Sequence, residues 1–483
     1  MKILKTFKFK KILTIIILSI ILIGGFAVRL YKINSPIADW HSWRQADTAS
    51  VARIYSDRGI DLLHPRYYDV SSIQTGYYNG DGLRYVEFPV YNVAHVVLYK
   101  LIPNLGFEVA GRLITIFSSL TTAFLIYLLC KRYINKTAAF FGAFFFAFLP
   151  FNIFFSRVIL PEEMAVMFAI ASVYIFSIFT QKEKNLYLFL SAISFSLAIL
   201  VDPYVAFYSI PIIYLALKKY GLKSFFKVTF YLALDLALVP LFLWRAYFFE
   251  KVVGIPPVEW AFNGDGIRFR PAFWWWIFGQ RLGSLILGIW GTALFVLGFA
   301  KNDKKNLFVE SMALGAFIFV SVVATANVRH DYYQSMIIPA VVFVLAKGTS
   351  YVWNLGKIRP KLVIFASIFL MLLIGAYQVK EYYKINHPEF MLAGAYIDKI
   401  APKDAKVIAP NNGDTAFLYQ TKRFGWPVLD RSIDETITLG AKYYVSVTFN
   451  DTDTVNFKKR FKTIEENQQF IVLDLTKEIS KKK

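Results

Sequence analysis

The sequence predicts a polytopic α-helical membrane protein of about eleven transmembrane helices, followed by a small extracytoplasmic α/β domain. Three observations predict this fold class. Hydrophobic residues make up 56% of the 483 residues. Only 18% are charged, against roughly a quarter in a soluble globular domain. Apolar runs long enough to cross ~30 Å of hydrocarbon recur along most of the chain. This composition excludes a soluble enzyme, a disordered chain and a fibrous protein.

The predicted spans follow from these apolar runs, taken in order along the chain. They lie near residues 12–28, 113–130, 138–155, 164–179, 186–201, 205–217, 228–244, 282–300, 307–326, 336–352 and 362–377. The first run follows a basic stretch, as in a signal peptide, but no small-x-small cleavage site ends it. We therefore expect it to be retained as a membrane anchor.

Lysine and arginine are distributed unequally between alternate loops. The N-terminus and every second loop after it carry an excess of basic residues over acids, whereas the intervening short loops balance the two. Basic loops stay on the cytoplasmic side. The pattern predicts a plasma-membrane protein with a cytoplasmic N-terminus. Much of the net charge of +21 is then explained by the basic residues of the cytoplasmic loops. We therefore expect no nucleic-acid partner.

All the large segments outside the predicted spans fall on the outer side. They are the first outer loop (29–112) with its juxtamembrane helices, a second loop at 245–281, and the tail. We therefore predict two domains, a transmembrane domain at 1–377 and a soluble extracytoplasmic α/β domain at 378–483. The cytoplasmic loops are too short to hold a nucleotide-binding domain.

The tail alternates predicted strands and helices, which indicates a partly parallel sheet. The strands are predicted at 406–409, 442–447 and 470–475, and the helices at 388–400, 415–420 and 433–439. Asp451 and Asp453 have the spacing of a metal-binding Asp-x-Asp pair. We interpret them instead as a polar turn before a helix.

Ionisable side chains cluster directly after the first span. The cluster contains two carboxylates and three polar or basic side chains: Asp39, His41, Arg44, Gln45 and Asp47. One interpretation makes Asp39 or Asp47 a helix N-cap and the neighbouring tryptophans interfacial anchors. So many ionisable groups within nine residues exceed what capping requires, and charges at a membrane rim are costly, so a functional site is the alternative interpretation.

Two further outer segments carry charged residues. The short loop between the third and fourth spans contains Arg157, Glu162 and Glu163, where Pro161 and the acids also suit an ordinary helix start. A later loop contains Arg329, His330, Tyr332 and Tyr333, which would suit a lipid phosphate or form a solvated turn. Glu87 lies two positions before Pro89, which we predict to start a stretch that re-enters the membrane.

The order of these motifs resembles the GT-C membrane glycosyltransferases, which include oligosaccharyltransferases, protein O-mannosyltransferases and the aminoarabinose transferase of lipid A. The residues that carry the resemblance are the His-x-Trp-Arg-Gln-x-Asp-Thr-Ala run at 41–49, Ser156 and Arg157 followed by Pro161 and Glu162, and the His-Asp-Tyr-Tyr run at 330–333. The resemblance covers the chain roughly to Tyr377. It implies a polyprenyl-phosphate-linked sugar donor, inverting transfer on the outer face, and a glycan, lipid or protein acceptor.

The resemblance also implies roles for particular residues. The catalytic acid after the first span falls on Asp39 or Asp47, which the sequence does not separate, and the second-loop acid falls on Glu162. The chemistry requires donors for the developing phosphate charge, for which Arg44, Arg329 and His330 are the candidates. Oligosaccharyltransferases use a metal, but the Asp-x-Asp spacing is missing at the matching positions here. We therefore expect no certain cofactor and keep a divalent metal as an alternative that the spacing does not support.

Two other functions share some of these features. A lipid-carrier flippase or transporter would place acids or broken helices near mid-membrane and would show repeated halves, and we find no internal repeat. A polymerase or ligase of surface polysaccharide uses the same lipid carrier. Its large outer loop normally lies late in the chain, whereas the acid-rich loop here is early. Both functions stay as alternatives to glycosyl transfer.

Overall fold

In a computed structural model, which describes residues 2–249, 253–255, 258–300 and 306–479, the chain forms two compact units. The helical unit comprises Met1–Ile33, Arg112–Arg245 and Val258–Glu381. The mixed unit comprises Asn34–Gly111, Ala246–Pro257 and Tyr382–Lys483. Residues 301–305, which belong to the basic loops used for topology, lie outside the described residues. The predicted domain boundary at 377 stays a prediction.

The helical unit consists of α-helices joined by short 3-10 segments. The α-helices are Lys2–Arg29, Phe107–Tyr133, Lys136–Phe148, Pro150–Phe155, Glu162–Lys182, Asn185–Val201, Ser209–Tyr220, Val228–Phe249, Glu259–Asn263, Pro271–Trp274, Gly291–Ala300, Phe308–Val322, Ala324–Arg329, Ile338–Trp353 and Ile358–Val379, with a π-helix at Trp275–Ile286. The 3-10 segments are Pro203–Tyr208, Gly221–Phe226, Ile267–Phe269, Asp331–Ile337 and Lys380–Tyr383.

Six helices of the described residues are long and apolar enough to cross a membrane, and a seventh span results if one bent pair counts. Three shorter apolar helices, at Lys136–Phe148, Asn185–Val201 and Phe308–Val322, coincide with further predicted spans. A multi-helical membrane protein is therefore confirmed. The count of about eleven stays a prediction, because several of the predicted runs are divided between short helices.

The prediction of one uninterrupted span at 282–300 is wrong. The helical stretch Pro271–Ile286 and the helix Gly291–Ala300 meet at an angle of 117°. Gly288 (φ +50°) and Ile289 (φ +62°) adopt left-handed backbone conformations between them, which end the helix. A Cβ on Gly288 would lie 2.3 Å from the carbonyl oxygen of Met371. Glycine is therefore required both by the turn and by the close approach of the helix Ile358–Val379.

The mixed unit combines helices with a five-stranded sheet. Its helices are Ser42–Arg58, Val90–Leu101, Glu389–Ile400, Ala416–Thr421, Ile433–Thr438 and Thr452–Arg460, with a 3-10 turn at Pro103–Leu105. Its strands are β1 (Lys406–Ile408), β2 (Gly425–Trp426), β3 (Ala441–Ser446), β4 (Phe461–Glu466) and β5 (Ile471–Glu478), in the order β2-β1-β3-β5-β4. β1 is parallel to β2 and β3, and β5 is antiparallel to β3 and β4.

This topology confirms the predicted partly parallel sheet and its three predicted strands. The sequence missed β2, because two residues carry no periodicity, and β4, whose alternating pattern is rich in charge. Asp451 caps the helix Thr452–Arg460 through the backbone N–H groups of Asp453 and Thr454. The interpretation of this pair as a polar turn before a helix is therefore confirmed.

The first outer loop extends the sheet formed by the tail. The backbone N–H of Val70 donates to the carbonyl of Gly425, and the N–H of Gly425 donates to the carbonyl of Tyr68, both at 2.9 Å. A Cβ on Gly425 would lie 1.7 Å from the carbonyl oxygen of Val407, so only glycine fits between the two backbones. Val70 and Trp426 share the buried apolar core of the sheet. Residues 34–111 are thus part of the same fold as the tail.

Candidate functional site

The helix Ser42–Arg58 carries the predicted first-loop cluster. Its N-cap residue is His41, in a left-handed conformation, and no side chain caps the helix. Asp47 lies within the helix, so the interpretation of Asp39 or Asp47 as the N-cap is wrong. Arg44, Gln45 and Asp47 are all buried. Buried polar groups need partners, and the structure supplies them from other segments of the mixed unit.

Arg44 forms an ion pair with Glu87, and both side chains are largely buried. Burial by itself raises the pKa of Glu87, but the guanidinium groups of Arg44 and Arg84 outweigh it and hold the pKa below its ordinary value. Glu87 is therefore a carboxylate at neutral pH. It accepts from Arg44, so a phosphate at Arg44 would have to compete with Glu87 for the guanidinium.

Asp47 is held on both of its carboxylate oxygens. Its Oδ2 lies 3.0 Å from Nη1 of Arg84, with both side chains almost fully buried. Its Oδ1 accepts a hydrogen bond of 2.6 Å from the hydroxyl of Thr415, which precedes the helix Ala416–Thr421. One oxygen thus forms an ion pair with a guanidinium, and the other accepts a hydrogen bond from a hydroxyl.

Asp39 is held differently, by an amide. Its Oδ1 accepts a hydrogen bond of 2.7 Å from Nε2 of Gln45, which also reaches the carbonyl of Trp40 at 3.2 Å. The ring of His41 packs edge-on against Trp40, which also stacks on Tyr382. All of these residues lie in the mixed unit, so the predicted cluster of Asp39, His41, Arg44, Gln45 and Asp47 is one packed region.

Sequence reasoning missed Thr415 and three further residues of this region. Arg84 connects Asp47 with the ring of Tyr67, which lies 5.0 Å below the guanidinium. Asp69 is fully buried, and burial, with a contribution from the charge of Asp47, raises its pKa to about 7. Burial likewise raises the pKa of Asp414 to about 6. No local motif surrounds these residues, and they join the site only because residues 67–84 and 414–415 fold against the helix Ser42–Arg58.

The helical unit contains the second predicted pair. Glu162 and Glu163 begin the helix Glu162–Lys182, directly after Pro161, as the helix-start interpretation predicts. Each is nevertheless only 1% exposed. Among the described residues, neither carboxylate oxygen of Glu163 has a hydrogen-bond partner. Burial to this degree exceeds what a helix start needs, since a first-turn acid is stabilised while exposed.

Arginine side chains surround this pair. Arg29 is attracted electrostatically to Glu163, and it donates to Ser156 and to the carbonyl of Ala147, each at 2.7 Å. Arg157 is also fully buried and donates to the carbonyl of Lys32 at 3.2 Å. The predicted convergence of Glu162 with Asp39 and Asp47 stays a prediction.

The third predicted cluster is divided within the helical unit. The side chain of Arg329 is 58% exposed and lies 3.7 Å from Asp265. Tyr332 and Tyr333 are buried and stacked on each other, with ring centroids 4.4 Å apart. The ring of His330 stacks on Tyr332 at 5.7 Å. Arg329 is thus a surface cation, whereas the tyrosines are packing residues.

A different arginine, which is partly buried, lies near the third cluster. Arg281 donates to the fully buried carboxylate of Asp331 at 3.2 Å, and its guanidinium lies 5.2 Å from the ring centroid of Trp276. Arg281 and Trp276 lie only five positions apart in the sequence. The pairing of Arg281 with Asp331 was not visible there, because Arg281 lies on the π-helix Trp275–Ile286, whose geometry no residue pattern indicated.

Comparison with known proteins relates this arrangement to one fold. The family described as "Dolichyl-phosphate-mannose-protein mannosyltransferase" matches residues 89–245. The ArnT structure from Cupriavidus metallidurans bound to undecaprenyl phosphate superposes with a TM-score of 0.65 and 11% identity, covering 95% of this chain and 97% of that one. The structure of the oligosaccharyltransferase AglB of Archaeoglobus fulgidus, in complex with an inhibitory peptide and a dolichol-phosphate, superposes with a TM-score of 0.59 and 11% identity. The match covers 96% of this chain and 74% of that one.

The mycobacterial arabinofuranosyltransferase AftD gives a TM-score of 0.63 and 12% identity, covering 95% of this chain and 40% of its own. All of these are GT-C glycosyltransferases. The chain has the GT-C fold. The resemblance predicted from the motifs is therefore confirmed, and the GT-C likeness extends beyond Tyr377 to include the tail. No curated protein matches the chain by sequence.

Within the described residues, no group of three or more His, Cys, Asp or Glu side chains lies close enough to hold a metal ion. The carboxylates of Asp39, Asp47 and Glu87 are engaged by Gln45, by Arg84 and Thr415, and by Arg44 respectively. The expectation that no cofactor takes part stays a prediction.

Proposed function

We propose that this chain is an integral-membrane glycosyltransferase. It transfers a sugar from a polyprenyl-phosphate donor to a glycan, lipid or protein acceptor on the outer face of the membrane, with inversion at the anomeric carbon. The observation that carries the proposal is the match of 95% of the chain to a GT-C structure that holds undecaprenyl phosphate. A donor with a polyprenyl tail stays in the bilayer, which suits a chain with at least six membrane-length helices.

Asp47 is the general base in this proposal, in preference to Asp39. Arg84 fixes its Oδ2, while its Oδ1 accepts the Thr415 hydroxyl at 2.6 Å, the geometry that an acceptor hydroxyl in the place of Thr415 would need. Asp39 instead accepts an amide N–H from Gln45.

The reaction is a single displacement. Asp47 takes the proton of the acceptor hydroxyl as its oxygen attacks the anomeric carbon. The bond from that carbon to the phosphate oxygen breaks, and the polyprenyl phosphate leaves with the electron pair. We assign its stabilisation to cationic donors among Arg44, Arg157, Arg329 and His330. Glu162 and Glu163 orient the donor sugar, with Tyr332 and Tyr333 supporting the pocket behind them.

The decisive measurement is release of polyprenyl phosphate from synthetic polyprenyl-phosphate sugars by the purified protein in nanodiscs. Asp47→Asn is expected to lower the release rate by at least about 100-fold, because general-base catalysis contributes roughly that much or more. The matched control is Asp81→Asn, an exposed aspartate in the same outer segment, which should leave the rate unchanged.

Asp39→Asn distinguishes the two candidate bases. If Asp39→Asn abolishes release while Asp47→Asn stays within about tenfold of the unmodified protein, the base is Asp39. If neither change exceeds about tenfold, the mechanism is wrong. Movement of the intact donor across the bilayer without cleavage would instead support the flippase alternative.

A further inference from the structure

A cleft of about 500 Å³ lies in the mixed unit beside the helix Ser42–Arg58. Four cationic side chains line it, namely Arg53, Arg58, Lys403 and Lys422. The rest of the lining consists of two aromatic rings, a carboxylate and an aliphatic side chain, which are Tyr68, Phe424, Asp57 and Ile54. Ligand clefts of this size are common, and their few polar groups set what they bind.

The four cationic side chains of this cleft outnumber the three carboxylates beside them, since Arg53 pairs with Glu108, Lys403 and Lys422 share Asp398, and Asp57 lines the cleft. Lys403 and Lys422 each lie 2.7 Å from Asp398, which also pairs with the fully buried Arg423 at 2.8 Å. Burial alone raises the pKa of Asp398, but the three cations around it hold the pKa well below its ordinary value. One carboxylate thus faces three cations. The lysine side chains are 78% and 42% exposed, so each ammonium group remains accessible to a ligand in the cleft.

The aromatic rings give the cleft an apolar wall. Phe424 is half-buried and meets Tyr68 edge-on, with centroids 5.7 Å apart. The guanidinium of Arg58 lies 4.8 Å from the centroid of the Phe424 ring. A ligand that combines C–H faces, hydroxyl groups and negative charge would match the rings, the carboxylate of Asp57 and the cations respectively.

Two helices connect this cleft with Asp47. Ile54 and Arg58 follow Asp47 on the same helix face by about two and three turns, roughly 10 and 17 Å along the axis. On the neighbouring segment, Thr415 contacts Asp47, and the helix Ala416–Thr421 then leads directly to Lys422. The cleft therefore lies about two to three helical turns from Asp47, a separation comparable to the length of a short oligosaccharide.

We propose that this cleft binds the acceptor, and that the acceptor is a glycan bearing a negatively charged group, a carboxylate or a phosphate. This inference rests on the proposed glycosyl transfer, since it assigns the second substrate of that reaction. A bare anionic lipid headgroup would use the cations but would leave the aromatic wall and Asp57 without a role. The chemistry therefore favours an anionic sugar over a lipid surface.

The test measures binding to the full-length protein in nanodiscs of neutral lipid. The probes are trigalacturonic acid, a trisaccharide ending in mannose 6-phosphate, and neutral galactotriose. We expect the two anionic probes to bind and to weaken as salt screens the lysines. The double variant Lys403→Gln with Lys422→Gln should weaken that binding at least about tenfold, because the loss of even one hydrogen bond to a charged group has about this effect. The matched control is Lys442→Gln with Lys462→Gln, two exposed strand lysines, which should change it less than about twofold.

Three outcomes overturn the proposal. They are equal binding of galactotriose, an unchanged affinity in the Lys403 and Lys422 double variant, and binding only to phosphatidylglycerol vesicles while both anionic trisaccharides fail at about 1 mM. Acceptor-free cleavage of the donor by water separates this test from that of the proposed function. If the unmodified protein does not cleave the donor but still binds the anionic trisaccharides, glycosyl transfer is contradicted, whereas the assignment of the cleft as a binding site for anionic glycans is not.

Discussion

Asp47 and Asp39 differ in what their partners do to them. Asp47 has a guanidinium on one oxygen and a hydroxyl on the other, while Asp39 accepts from an amide. A guanidinium fixes the orientation of a carboxylate without accepting its proton, because arginine stays charged. The two aspartates, equivalent in the sequence, are therefore distinguished by Arg84 and Thr415.

A pH dependence of stability follows from Asp69. Because its pKa is about 7 in the folded chain and about 4 when exposed, the folded state binds more protons than the unfolded state between these values. Stability should therefore fall as pH rises from about 4 to 7, by at most roughly 4 kcal/mol. Asp414 contributes with the same sign.

The melting temperature of the purified protein, compared between about pH 5 and about pH 8, measures this effect. In Asp69→Asn the side chain stays neutral and can still accept from the N–H of Ser71, which now lies 2.7 Å from Asp69. The variant should lose part of the pH slope and melt above the unmodified protein at the alkaline end. Asp81→Asn serves as the exposed control. A slope unchanged by Asp69→Asn would show that this carboxyl does not titrate as argued.

At the scale of elements, the bend at 287–290 is the main departure from the predicted helices. The apolar run continues through it without a proline, so hydropathy alone indicates one span. The break depends on two consecutive left-handed residues, Gly288 and Ile289. Their conformation is stabilised by contact with the helix Ile358–Val379, which lies far along the chain.

Gly288→Ala tests this bend. The new Cβ would meet the Met371 carbonyl at 2.3 Å, so the substitution should cost the left-handed strain of about 1–2 kcal/mol and a steric clash in addition. Gly356→Ala is the matched control, since Gly356 also has positive φ but nothing lies within 4 Å of its Cβ position. We expect a clearly larger drop in melting temperature for Gly288→Ala. Equal drops would mean that the close approach contributes nothing.

At the scale of the whole molecule, the mixed unit is assembled from distant parts of the chain. Residues 34–111 and 382–483 form a single compact unit, joined by backbone hydrogen bonds between Val70, Tyr68 and Gly425. Tyr78 stacks parallel to Trp426, with centroids 6.4 Å apart. Each segment thus contributes apolar surface that the other buries.

Removal of the tail should therefore unfold the first outer loop locally. A chain ending at residue 381 would lose β2, against which residues 68–70 pair, and would expose Val70. Limited proteolysis of membrane preparations is expected to cut the shortened chain within 59–83 at least about tenfold faster than the full chain, because cleavage follows the population of opened segments. Equal cleavage rates would show that the loop folds independently of the tail.

The sequence predicted the parts of this protein that depend on local chemistry. Long apolar runs indicate membrane helices because hydrocarbon satisfies no backbone group. Strand and helix periodicity located most elements of the tail, and the motifs at 41–49 and 330–333 indicated the GT-C resemblance. The helix start at Glu162 followed from Pro161 and the acids after it. These features need only neighbouring residues and the solvent around them.

Only the tertiary structure decided which charges meet. Arg84 and Thr415 reach Asp47 from 37 and 368 positions away, and Asp69 acquires its pKa through burial among them. The cleft likewise joins Arg58 with Lys403 and Lys422. Pairings of this kind carry no local pattern, because their free energy depends on desolvation and distance, and both arise only when remote segments pack together.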